Sequence, residues 1–596
     1  MRDSEGFVRM RTLQCVVLFV FLLIGGRLAY IQLVDSRYNE LAKANVLRHV
    51  VQYPPRGEVF DRNGEYLVQS RECYDLMVIY SEIDKKGFDT LRMCEVLGLS
   101  REKLEKELAN ARMRPRAPRV VTSYISKEDK LRFDECNFRG FYTVYRTVRR
   151  YPREVGGNLL GFVGEVNADF LKRHPDYKSG DYVGMSGVES AYEPLLKGKK
   201  GVKIQEIDTH GAIKGSYMNG LYDSLPEPGR YLVSTIDARL QLLGEELMRG
   251  KVGAAVAIEP ATGEILMMVS SPTYDPDELV GRERGNNYMK MIYNKRHPLF
   301  SRAVKAKYPP GSTFKLATML TLLDDADMSP QTAYDTHNGD PVTVGPAKNI
   351  RDSHRGDREI DFRRAVASSS NVYFAKAIWE RYGITGKKQE YSDFLHEKLR
   401  LGQTVGLERL GERAPSITTD WKVPDPGVML VKMSYGYRVR LAPIQMITFY
   451  NAIANGGKMI SPVLVRELRR GDRVEERFES RTLASSICSR SALREVQRCL
   501  ELVCTEGTAS LYFRDTARLR VAAKTGTAQI TDARSREGRY YLGSMIAYFP
   551  ADNPRYTVLT TIETRAQAGK AYYGGPLAGP VVKRMVDYIY NRNRDW

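Results

Sequence analysis

An α+β fold behind one apolar N-terminal helix is predicted for this 596-residue chain by three observations. One long apolar stretch lies near the N-terminus. Short β-like runs then alternate irregularly with charged helical runs up to about Gly220. Beyond a Pro/Gly-rich connection, runs rich in Val, Ile, Met and Ala recur with hairpin punctuation, the pattern of a sheet packed with helices. At 42% hydrophobic and 10% aromatic, the chain is long enough for several packed cores and is not disordered by composition.

The apolar stretch runs unbroken from Cys15 to Gly26 and resumes from Leu28 to Val34 with Gln32 its one polar residue. Its unbroken part alone fits a signal-peptide core. Taken from Leu13 to Val34 it reaches the length of about 20 residues that spans a bilayer. No small-x-small cleavage site directly follows, and Arg27 can snorkel to the interface, so an uncleaved anchor over 13–34 is expected. Arg2, Arg9 and Arg11 precede it. The positive-inside rule then predicts a cytoplasmic tail at 1–12 and everything after about Asp35 on the other side. A first domain at 35–225 includes a helical run from Arg101 to Met113 and a β-like run from Arg119 to Tyr124; Asp61-Arg62-Asn63-Gly64 reads as a tight turn. Leu225-Pro226-Glu227-Pro228-Gly229 marks the boundary to a second domain at 230–596. There Ala254–Pro260 and Glu264–Val269 flank Ala261-Thr262-Gly263 as a hairpin, and Met545–Phe549 and Tyr556–Ile562 continue in strand character.

The formal net charge of +19 permits a nucleic acid, a membrane surface or an anionic polymer as partner. No zinc-finger spacing, P-loop or GxGxxG occurs and the basic residues are spread along the chain, so a solvated basic surface and no nucleic-acid role are expected. Seven cysteines form no metal-spaced pairs, and none of the seven histidines shows the i, i+4 spacing of a helical metal site. No metal and no cofactor are expected. Arg355-Gly356-Asp357 is read as chance, not an adhesion tripeptide.

Chemistry concentrates in three motifs: Ser312-Thr313-Phe314-Lys315, Ser369-Ser370-Asn371 and Lys524-Thr525-Gly526-Thr527. In the first, a hydroxyl and an amine three residues apart share one helix face, so a desolvated Lys315 could take the Ser312 proton. Roughly two S-x-x-K matches arise by chance in a chain of this length, so the weight lies in the ordered trio. Tyr308-Pro309-Pro310-Gly311 breaks the chain just before Ser312 and good helix formers follow Lys315, which puts Ser312 at a helix N-terminus that favours a developing oxyanion. Ser369-Ser370-Asn371 reads as a loop between helices. The third motif follows the β-like Val521-Ala522-Ala523; it offers a cation, two hydroxyls and a Gly526 that lets a substrate backbone approach. Such groups suit a peptide ending in a carboxylate.

On these motifs the chain resembles the class B penicillin-binding D,D-transpeptidases, of the superfamily that includes the serine β-lactamases. Pro54-Pro55-Arg56-Gly57, Gly184–Glu189, Thr235-Ile236-Asp237 with Gln241, and Thr262-Gly263-Glu264-Ile265 extend the resemblance over nearly the whole chain. Ile350-Arg351-Asp352-Ser353 and Met433-Ser434-Tyr435-Gly436-Tyr437 are most similar to the division-specific, FtsI-type enzyme. Ser301-Arg302 stands where many members carry Asn-Arg, and Asn158 where many carry His.

The resemblance implies a transpeptidase domain with a central antiparallel sheet and helices, after an α+β pedestal of the dimerisation type. It implies that Ser312 attacks the carbonyl between two D-alanines of a stem peptide with Lys315 as base, and that the backbone N–H groups of Ser312 and Thr527 form the oxyanion hole. Ser369 passes a proton to the departing amine and Asn371 orients Lys315 and the substrate amide. Thr525 and Thr527 hold the terminal carboxylate, and Lys524 adds positive potential and helps keep Lys315 neutral by like-charge repulsion. The implied partners are stem peptides, β-lactams, and a membrane-embedded glycan polymerase with other division proteins. Elongation- or sporulation-type transpeptidase and D,D-carboxypeptidase are the alternatives. A β-lactamase is disfavoured because no Asn occurs between Asn371 and Asn451 to pair with a deacylating Glu. A β-lactam sensor would need a cytoplasmic effector, for which the expected tail at 1–12 is too short to fold alone, and a non-catalytic scaffold would not need all three motifs.

Overall fold

The computed structural model describes residues 2–33, 47–84, 87–178, 180–207, 213–514, 519–531, 538–567 and 572–593. By compactness the chain forms a smaller unit of Met1–Pro55, Glu72–Val148 and Gly198–Gly229, and a larger one of Arg56–Arg71, Arg149–Lys197 and Arg230–Trp596.

In the smaller unit the N-terminal helix runs Arg2–Leu33, and Met10–Ile31 within it is long and apolar enough to cross a membrane. Its 22 residues rise about 33 Å at 1.5 Å each, close to the bilayer's hydrocarbon thickness. The window begins three residues earlier than the expected 13–34, whose last residue, Val34, lies outside the described residues. Strands Leu47–Gln52, Gly201–Ile207 and Ile213–Ser216 form an antiparallel sheet with Gly201–Ile207 in the middle. The unit's core joins Leu76, Val78, Met93, Leu104, Val121 and Phe133. Its helices start at caps the sequence supplies: Asp89, Ser100 and Ser126 each accept a backbone N–H from three residues on.

The larger unit is built on five antiparallel strands: β1 (Val252–Ile258), β2 (Ile265–Ser271), β3 (Ala522–Ile530), β4 (Tyr540–Phe549) and β5 (Tyr556–Arg565). Their order is β2-β1-β5-β4-β3, with β3 on the edge. The helices of this unit include α1 (Ala238–Met248), α2 (Lys315–Leu320), α3 (Phe362–Ser368), α4 (Asn371–Ile378), α5 (Pro443–Ala454), α6 (Arg490–Thr505) and α7 (Gly574–Arg592). α1 and α7 pack against the sheet, α5 does so with every residue buried, and α6 packs on β3 and α3. The near-continuous apolar run Ala254-Ala255-Val256-Ala257-Ile258 follows from this, because a strand covered on both faces has no wet side to mark with polar residues.

Several segments that carry the family resemblance are fasteners of this unit. Glu189, fully buried, accepts from Arg56 Nε at 2.8 Å and Arg149 Nε at 2.7 Å, and Arg56 also pairs with Glu193. Asp61 ties the turn at 61–64 by accepting from Asn63 N and Glu65 N, and reaches Ala238 N at the start of α1. Thr235 Oγ1 donates to Ile265 O at 2.7 Å, and Gln241 brackets Met268 through its N–H and C=O. All seven cysteines are free thiols.

Candidate active site

The three motifs converge on one open cleft of about 1490 Å3, lined by Ser312, Ser369, Asn371, Thr525, Gly526 and Thr527. Lys315 and Lys524 lie beneath its lining, each with no exposed surface. Hydroxyls face the cleft and amines support them from below.

Ser312 sits in a tight turn, Gly311–Phe314, that runs directly into α2. Backbone crowding fixes this turn. Gly311 adopts φ +57°, and a Cβ there would stand 2.6 Å from the Thr527 carbonyl oxygen; a Cβ on Gly436 would stand 2.0 Å from the Gly311 carbonyl oxygen. Only glycine lets edge strand β3 and the 434–438 loop close on both sides of the nucleophile's turn. Tyr450 of α5 donates to Thr313 O at 2.8 Å from within the core. Gly526 lines the cleft and also has a packing reason: its missing Cβ leaves room for Thr313 Cγ2, which would be 2.8 Å away.

Lys315 Nζ donates to Ser369 O at 2.6 Å and Asn371 Oδ1 at 2.8 Å, with Ser369 Oγ at 3.3 Å. The Ser312 hydroxyl makes no hydrogen bond among the described residues. Ser369 ends α3 in the left-handed conformation (φ 60°, ψ 41°), Ser370 caps α4 by accepting from Tyr373 N, and Asn371 is the first residue of α4, so the expected loop between helices is a single sharp corner. The corner turns the Ser369 hydroxyl toward both amines, and Lys524 Nζ reaches it at 2.7 Å. Thr525 Oγ1 shares a 2.6 Å hydrogen bond with Thr508 Oγ1, and Thr527 Oγ1 accepts from Gly574 N at 2.9 Å.

Burial pulls the Lys315 amine down to about 7, opposed by the nearby Asp352 carboxylate. Lys524 is pushed well below the ordinary lysine range, first by burial and then by Lys315. Desolvation is the leading cause for both amines, and the repulsion between them, being mutual, disfavours charging both at once.

Asp352 was legible only as part of a resemblance segment and received no role from sequence. Its Oδ1 accepts from Asn371 N at 2.5 Å and Val372 N at 2.9 Å, and its Oδ2 from Ser370 Oγ at 2.7 Å. Thr508 was missed altogether; no motif surrounds it. Asn158 and Ser301, the two departures from the family pattern, line a separate cavity of about 20 Å3, where Asn158 Oδ1 has no partner among the described residues. Among those residues no group of three or more His, Cys, Asp or Glu is arranged to hold a metal.

Comparison with known proteins matches residues 51–234 to the penicillin-binding protein dimerisation domain and residues 253–587 to the penicillin-binding protein transpeptidase domain. Stage V sporulation protein D of Bacillus subtilis is 27% identical across 98% of this chain and 86% of its own. Peptidoglycan D,D-transpeptidase MrdA of Haemophilus influenzae is 27% identical across 93% and 87%. Probable peptidoglycan D,D-transpeptidase PenA of Neisseria flavescens is 29% identical across 69% and 94%.

Proposed function

The chain belongs to the penicillin-binding protein transpeptidase family, as a class B member with the dimerisation domain, and from that premise we propose how its site acts as a serine-type peptidoglycan D,D-transpeptidase. The observation that carries the assignment is Lys315: buried, one helical turn from Ser312, and drawn down to about 7. As a neutral amine it spends its two N–H groups on Ser369 O and Asn371 Oδ1, which leaves its lone pair for the Ser312 proton.

Ser312 Oγ attacks the carbonyl between the two terminal D-alanines as its proton passes to Lys315. The backbone N–H groups of Ser312 and Thr527 receive the oxyanion. When the C–N bond breaks, a proton returns to the departing D-alanine amine through the Ser369 hydroxyl, which stands between the two lysine amines. Asn371 orients Lys315 and the substrate amide. Thr525 and Thr527 receive the terminal carboxylate, Lys524 supports the Ser369 hydroxyl from beneath, and Gly526 keeps the strand against the nucleophile's turn. An amine of a second stem peptide then displaces Ser312 and completes the cross-link; water in its place would make the enzyme a carboxypeptidase.

The test is mass spectrometry of the full-length protein in detergent after penicillin treatment. One stable adduct on Ser312 is expected. An adduct elsewhere, or none, overturns the site assignment.

For the cellular role, the 350–353 and 433–437 segments support septal synthesis alongside a membrane-embedded glycan polymerase and other division proteins. The near full-length similarity to a stage V sporulation protein favours a second reading, a sporulation-type transpeptidase. Depletion of the protein separates them: filamentous cells support division, and normal division with defective spores supports the second. In either case Arg2, Arg9 and Arg11 at the start of the N-terminal helix support a single-pass topology with the N-terminus in the cytoplasm and the bulk of the chain outside.

A further inference from the structure

We propose that Asp352 is a positioning residue for acylation: its carboxylate fixes the start of α4 so that Asn371 holds the Lys315 amine, and it places a negative charge behind that corner. The inference rests on Lys315 acting as the base.

Geometry carries it. Asp352 lies just after the strand Ala347–Ile350, outside all three motifs. Its two oxygens take three donors from one corner, Ser370 Oγ, Asn371 N and Val372 N, at 2.7, 2.5 and 2.9 Å. Two of these are backbone N–H groups of the first turn of α4, where no carbonyl of the helix itself can reach. A carboxylate there also complements the positive end of the helix. Asn371 is pinned a second time through Nδ2 to Arg351 O at 2.9 Å, so its remaining amide atom, Oδ1, is left aimed at Lys315 Nζ. Displacing Asp352 therefore moves an acceptor that the proposed base depends on.

Charge supplies the second part. The groups facing the Lys315 amine among the described residues are Lys524 from β3, Ser369 at the α3–α4 corner, Asn371 and the Phe374 ring from α4, and Asp352. Of these, Asp352 carries the one negative charge. Desolvation favours the neutral amine, Lys524 adds no opposing attraction, and Asp352 alone restrains the descent.

Asp352→Asn tests this with little change of shape, since an amide oxygen can accept the two N–H groups and its NH2 can donate to Ser370 Oγ. The measurement is the rate of acylation by penicillin against pH, on full-length protein whose folding is checked by thermal unfolding. Wild type should show an acid limb centred near 7. In D352N that limb should move down by about half a unit to one unit, so that at pH 6 the rate, relative to its own plateau, rises about three- to fivefold. Asp352→Glu should keep the limb in place and lower the plateau, because the charge remains and the corner shifts. An unmoved limb in folded D352N, or equal shifts in both variants, overturns the role of Asp352. Should D352N fail to fold, Asp352→Ser is read by the same criterion: a limb moved down supports the charge role, and an unmoved limb overturns it. Absence of any acid limb in wild type would instead overturn Lys315 as the base.

Discussion

Lys315 is placed where a lysine is costly. The unfolded chain holds this amine near 10.5 and the fold lowers it to about 7, so between those values the unfolded state binds more protons and stability rises with pH. Below about 7 the full penalty remains, on the order of several kcal/mol. Lys315→Met should therefore abolish acylation yet raise the melting temperature at pH 7, with a gain that shrinks toward pH 10; equal gains at both pH values would show that packing is responsible. The serines and lysines themselves were legible in sequence because their chemistry shows as residue type and spacing. Asp352 and Thr508 were not, because a carboxylate or hydroxyl that acts by holding another group has no fixed spacing from it. The packing reason for Gly526 was hidden as well, since it depends on Thr313, from a segment about two hundred residues away in sequence.

The turn before α2 is held by backbone contacts that admit no side chain. Gly311→Ala would force a left-handed alanine against the Thr527 carbonyl oxygen at 2.6 Å, and should cost about 1–3 kcal/mol of stability and lower acylation by about tenfold or more. Acylation kinetics beside thermal unfolding measure both effects. The corner between α3 and α4 and the hairpin of β1 and β2 were visible in sequence through Ser, Asn and Thr-Gly turn chemistry between regular runs. The buried pairing of Arg56, Arg149 and Glu189 was not, because charges that meet across 133 and 40 residues of chain carry no local signature. Glu189→Ala should destabilise the protein by about 3–5 kcal/mol by leaving the buried Arg149 guanidinium without its carboxylate and Arg56 with Glu193 alone; denaturant unfolding measures it.

At the scale of the molecule, linear order and compactness differ. Sequence reading sets boundaries in linear order after residues 12 and 34 and near Leu225; by compactness the larger unit gathers Arg56–Arg71, Arg149–Lys197 and Arg230–Trp596. Linear cues such as Pro/Gly-rich connections mark where the chain bends, and they do not record which distant segments share a core. Within the larger unit, Arg149 Nη1 donates to Ser70 Oγ at 2.9 Å, and Arg230 N to Leu195 O at 3.0 Å. Each pair brackets a departure of the chain and its return. Residues 72–148 and 198–229 thus leave and rejoin the larger unit at points already side by side, which predicts that both can be excised. A chain beginning at Arg56, with each insertion replaced by a short turn, should melt cooperatively and still be acylated by penicillin on Ser312. Loss of cooperative melting would mean that the larger unit depends on the excised residues to fold.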